Sequence, residues 1–234
     1  MAEKTMEHTV SHVEKDPLLE VESLWKKYQK PVFAVAGVVI VVVGGWFGYT
    51  KLVVEPTEEK AADALYKVQE YFAKDSSRKV IDGDGTVKGA LSIISKFSGT
   101  KAANLAHYYA GISYLKLGEY SKAVDQLKDF STNAKQVAIV ANGALGDAYS
   151  ELGKKDEAVE QYKKASSVFE KDEALSAEYL FRAAALTETM GKNKEALELY
   201  KSVKERFPTS DKAKLADKYI YRLNVEENDL SINK

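Results

Sequence analysis

Leu145 to Tyr162 reads LGDAYSELGKKDEAVEQY. The reading of these eighteen residues decides the fold. Gly146 and Ala158 are small and stand where two helices would have to touch. Gly153 stands between them, where a first helix must stop; a positive φ ends a helix and suits glycine. The segment predicts a helical hairpin: one helix into Tyr149, a tight turn at Gly153, and a second helix carrying Ala158 and Tyr162.

The same spacing recurs on both sides. Thirty-five residues earlier, His107 to Tyr114 precedes Gly118, Ala123 and Leu127. Thirty-eight residues later, Ala183 to Thr187 precedes Gly191, Ala196 and Tyr200, and Pro208 follows. In each unit the residues Tyr114, Tyr149 and Thr187 lie nine before the alanine, and a bulky residue follows that alanine by four. Gly111, Gly146 and Ala184 keep the first helix thin. This pattern resembles the tetratricopeptide repeat, with its W-x₂-L-G-x₂-Y…A-x₃-F…P signature. The tryptophan position holds His107, Asn142 and Leu180, and Thr187 replaces a tyrosine. The resemblance implies stacked helix pairs, each burying its apolar face on its neighbours.

Working outward, Ala90-x-x-x-Ile94 lies thirty-three residues before Ala123-x-x-x-Leu127, which marks a divergent earlier unit. Its first helix is expected over Pro56 to Lys74, and a flexible loop over Asp75 to Gly85. Asp82-Gly83-Asp84-Gly85 lacks the acidic series and closing glutamate of a calcium loop. After Pro208, a last helix from Ser210 through Leu223 is expected to cap the stack. The fold class is therefore all-α, with about three and a half repeats at about 56–97, 104–137, 139–172 and 177–209, a cap at 210–223, and the whole domain over 53–234.

Before the repeats, Val32 to Tyr49 reads VFAVAGVVIVVVGGWFGY, a run without a charge. A helix of this length and composition spans a bilayer core. A transmembrane helix is expected over 31–52, after a head at 1–30. The run starts too far into the chain and is too long for a cleaved signal peptide. Leu18, Val21, Trp25 and Tyr28 recur at helical steps behind Asp16-Pro17, predicting a short interfacial helix. Lys26, Lys27 and Lys30 precede the span, whereas Lys51 and Lys60 follow it. That bias puts the head in the cytoplasm and the repeats across the membrane. Gly37, Gly44 and Gly48 fall within about 20° of one helical line, a small-residue face on which another membrane helix, including a second copy, could dock.

The formal net charge is −1, from 34 basic and 35 acidic residues, and no cysteine is present. Disulfides, zinc fingers and a thiol nucleophile are excluded. No basic stripe interleaves with aromatics, so nucleic acid is a poor partner. His8 and His12 lie in the head and His107 at a repeat core position. No nucleophile elbow, P-loop or metal-ligand set is present, and neither an enzyme nor a cofactor is expected.

By repeat position, the first helices of the pairs present a groove. Tyr108 and Ile112 form its aromatic end with Leu105, Leu115 and Lys116. Asp147 and Glu151 follow with Val140, Gly143 and Ser150. Glu178, Phe181, Ala185, Glu188 and Thr189 form its acidic end. The set lacks the Lys and Asn residues that clamp a C-terminal carboxylate in some relatives. Tail, single span and outward repeats are together similar to the bacterial ancillary SecYEG translocon subunit family (YfgM-like). That resemblance implies a periplasmic scaffold in the inner membrane, beside the SecYEG translocon and a membrane-anchored prolyl-isomerase-like chaperone. A periplasmic scaffold for cell-envelope or division machinery, and an organelle receptor with cytosolic repeats, remain as alternative readings.

Overall fold

A computed structural model describes the backbone of residues 17–232. His8 and His12, with most of the expected head, lie outside the described residues. The chain divides into two units, Met1–Pro56 and Thr57–Lys234.

In the first unit, α1 (Pro17–Tyr49) begins at a proline, whose missing N–H costs nothing at the first helical position. Pro31 lies inside it, just ahead of the apolar run. The large apolar side chains from Val32 to Phe47 are exposed. A window of the helical stretch Leu24–Ala73 is long and apolar enough to cross a membrane, and none of it is buried within the protein. A five-residue π-helix, Thr50–Val54, follows α1, and the Thr50 hydroxyl donates 2.9 Å to the Trp46 carbonyl.

Among the described residues, the second unit holds ten further helices: α2 (Glu55–Ala73, beginning at the boundary), α3 (Ser77–Asp82), α4 (Ala90–Lys96), α5 (Lys101–Lys116), α6 (Tyr120–Asp129), α7 (Lys135–Glu151), α8 (Lys155–Val168), α9 (Glu173–Thr189), α10 (Asn193–Arg206) and α11 (Asp211–Ile232). Three hairpins, α5–α6, α7–α8 and α9–α10, correspond to the three units read from the sequence. Their turns are alike. Gly118, Gly153 and Gly191 have φ of 76°, 73° and 74°. The next amide reaches back to Tyr114, Tyr149 or Thr187, at 2.9, 2.9 and 3.3 Å. The glycine amide itself reaches back to Leu115, Ser150 or Glu188, and the two bonds together satisfy carbonyls of the last turn that would otherwise lack partners.

Close approach within the hairpins explains the small residues. A Cβ on Gly111 would lie 2.6 Å from Leu127 Cγ, and one on Gly146 2.6 Å from the Tyr162 ring. Ala123, Ala158 and Ala196 are fully buried on the opposing helices.

The loop expected over Asp75 to Gly85 is instead partly helical. In α3, Val80 and Ile81 are fully buried. Beyond it Asp84 folds the chain: its carboxylate accepts from the amides of Thr86 and Val87 and from the Tyr71 hydroxyl at 2.7 Å. Two buried aliphatic side chains carry no periodicity in sequence, but their burial is enough to order the segment. At the other end, the Ser210 hydroxyl caps α11 by accepting from the Ala213 amide. That helix continues nine residues past the expected Leu223.

Candidate protein-interaction groove

The groove residues expected from sequence lie on α5, α7 and α9. On α5, Tyr108 and Ile112 are half-buried. The Tyr108 ring packs 5.1 Å from Phe130 and 5.6 Å from Tyr109, and Tyr109 stands edge-on to Phe72 at 5.0 Å. Gln69 donates to the Tyr109 hydroxyl, tying α2 to this aromatic set. Tyr108 and Ile112 thus sit on a firm aromatic platform, each with part of its surface open.

Asp147 and Glu151 come together with Leu115 and Ser150 around a recess of 310 Å³, closed by Tyr120 and Tyr162. Glu151 is exposed. Asp147 is not a free acid: it accepts from the Tyr162 hydroxyl at 2.6 Å and from Arg182 Nη1 at 2.9 Å. Burial, and then the hydrogen bond to Asp147, push the Tyr162 hydroxyl well above its ordinary pKa.

The far end differs from expectation in two ways. Phe181 is buried at 7% exposure, with its ring 5.3 Å from both Tyr200 and Tyr219. Tyr219 belongs to α11, so the last helix covers the ring that repeat position alone would have put in the groove. The expected acidity is also neutralised. Glu178 accepts from Arg182 Nε at 2.7 Å and pairs with Lys212 at 2.9 Å. Burial raises the Glu178 pKa, but the hydrogen bonds and charges of Lys212 and Arg182 together outweigh it and lower it overall. Glu188 accepts from the Tyr200 hydroxyl at 3.0 Å and is paired with Arg222.

Gly143, expected on the groove surface, is a contact point between first helices. A Cβ there would lie 2.1 Å from the Tyr179 ring. The cations that complete this face were missed in the sequence. Arg182 was legible as the i+4 partner of Glu178; Lys212 and Arg222 come from the cap and carried no such signal.

Gly37, Gly44 and Gly48 lie on α1, where a Cβ on any of them would meet nothing within 4 Å. Among the described residues, no group of three or more His, Cys, Asp or Glu side chains could hold a metal ion.

No curated protein matches the chain. A family described as tetratricopeptide repeat matches residues 140–172, which cover most of α7 and all of α8, and a second of the same description matches 178–210, which cover most of α9 and all of α10. A third match, to a family described as tetratricopeptide repeat-like domain, runs over residues 22–145, from within α1 through the first hairpin and into α7. That last match takes in more than half of the sequence, and with the three glycine-closed hairpins it shows that the chain belongs to the tetratricopeptide repeat-like domain family.

Proposed function

We propose that the protein is a membrane-anchored scaffold that stands beside the Sec translocon and holds its repeats in the periplasm. There it links the channel to a membrane-anchored prolyl-isomerase-like chaperone and to emerging clients. The observation that carries this reading is the family match over residues 22–145, whose range takes in both the apolar stretch and the first repeats. Repeats of this family bind proteins, and an anchor fixes where they do so. The lysines at 26, 27 and 30 support a cytoplasmic head.

Partner contact is assigned to the face bearing Tyr108, Ile112 and Glu151, with Asp147 and Glu188 holding neighbouring helices in place. The Gly37, Gly44 and Gly48 face is the docking surface for a partner's membrane helix or a second copy.

Two measurements test the reading. Protease added to intact spheroplasts should digest the repeats and spare the head; digestion only after lysis would place the repeats in the cytosol. Purification in mild detergent should bring down translocon subunits. Recovery of envelope-assembly or division proteins in their place would favour that alternative.

A further inference from the structure

Tyrosine–carboxylate pairs recur along the groove face, and two of them are completed by an arginine. In the middle unit the Tyr162 hydroxyl on α8 donates 2.6 Å to Asp147 on α7, and Arg182 on α9 donates to the same carboxylate at 2.9 Å. In the third unit the Tyr200 hydroxyl on α10 donates 3.0 Å to Glu188 on α9, and Arg222 on α11 pairs with that carboxylate. Each arginine comes from two helices further along the chain than its acid. Each also lies over a tyrosine ring, Arg182 at 5.4 Å from the centre of Tyr179 and Arg222 at 5.1 Å from that of Tyr219. A guanidinium suits such a place, because it is planar, always charged, and meets a carboxylate and an aromatic face together.

A third pair lacks its arginine. Tyr120 and Glu151 lie together in the wall of the 310 Å³ recess. The Glu151 charge, then burial, then a hydrogen bond to Glu151 push the Tyr120 hydroxyl above its ordinary pKa. Tyr120 opens α6 and is not the repeat equivalent of Tyr162 and Tyr200, so the shared feature is the chemistry and not the register. Asp147, in the same wall, already pairs with Arg182. Glu151 is exposed, and among the described residues no lysine or arginine pairs with it. The lining of the recess holds neither lysine nor arginine. Its apolar wall is Leu115, which stands about one turn beyond Ile112 on α5, so the recess continues the platform of Tyr108 and Ile112.

We infer that this recess receives an arginine side chain from a segment of a partner protein, with its guanidinium against Glu151 and Tyr120. An apolar residue of the same segment lies on Tyr108 and Ile112. The inference rests on the reading of this face as the partner groove, and adds what the partner carries there.

The test uses the full chain in nanodiscs of zwitterionic lipid, titrated calorimetrically with the acetylated, amidated peptide Leu-Phe-Gly-Arg-Gly. Saturable binding that weakens with salt is expected. Citrulline in place of arginine keeps the shape and removes the charge. It should weaken binding about fivefold, the size of an ion pair at a partly open site. Glu151→Gln should weaken the arginine peptide by a similar factor and make the two peptides equal. Glu151→Lys should prefer the peptide in which glutamate replaces arginine. Glu151 is exposed, so both variants should keep the wild-type urea midpoint. Absence of saturable binding, or equal binding of the arginine and citrulline peptides to wild type, would overturn the inference. So would a preference for spermidine over the peptide, which would make the recess a site for free polycations. The groove reading fails separately, if Ile112→Ala leaves binding of the arginine peptide unchanged while Glu151→Gln weakens it.

Discussion

The seam between the first and second hairpins and the seam between the second and third use the same repeat and are built differently. The first leaves a cavity of 510 Å³. The second is filled by an aromatic ring. Tyr179 seats against Gly143, stacks on Tyr162 at 6.2 Å, and is flanked by the Arg182–Asp147 pair. Lys163–Glu195, Lys192–Asp156 and Arg206–Glu170 add bridges between these units. One repeat pattern therefore specifies the hairpin but leaves the seam free to vary. The variation separates a seam packed by a ring and ion pairs from one that keeps a cavity.

The largest effect should come from closing the tight approach. Gly143→Ala forces a methyl into a ring that is itself buried, and we expect a cost of about 3 kcal/mol, read as a lower urea midpoint. Shrinking the ring with Tyr179→Leu in the same chain should recover part of it; equal loss in the double variant would mean that the seam is not tight there. Ala158→Leu probes the interior of the middle hairpin, common to both seams, and should cost roughly 1–3 kcal/mol.

A third measurement follows pH. The Glu178 pKa is lower in the folded protein than in the unfolded chain, so its pairing contributes above the ordinary glutamate pKa of about 4.3. That contribution is lost as the pH falls through the folded value. Wild type should exceed Glu178→Gln in stability at pH 7, and the gap should close in acid. A gap that persists at low pH would assign the effect to packing. The smallest effect belongs to the first unit. The Ser113 hydroxyl is buried without a partner, and the equivalent residue in the second unit is Ala148. Ser113→Ala should raise stability by up to about 1 kcal/mol.

These contrasts also mark what the sequence could convey. Gly153, Ala158 and Tyr149 announced the hairpin because their constraints are local: a turn needs positive φ, and a close contact needs a small side chain. The apolar run at 32–49 was equally plain. Burial of Phe181 was not, since it depends on α11, which packs there from outside the repeat pattern. The α3 helix was hidden for a related reason. A six-residue helix has too few turns to show a period, and its order comes from Val80 and Ile81 meeting the rest of the core. The neutralised acids required knowing where Lys212 and Arg222 land.

The glycine-closed turns have a practical consequence for anyone who would splice new sequence into this protein. Each helix-to-helix turn inside a hairpin has the same three residues' worth of backbone, at Leu117–Glu119, Leu152–Lys154 and Met190–Lys192, and in each the glycine amide and the amides on either side of it bond back to the first helix. An insertion there would unhook both helices. The connections between hairpins obey no such template, and the exposed stretch around Asn133 lies in one of them. An affinity tag or a fluorescent reporter placed there should be carried without disturbing the stack, which makes that loop the natural handle for attaching a reporter to this scaffold.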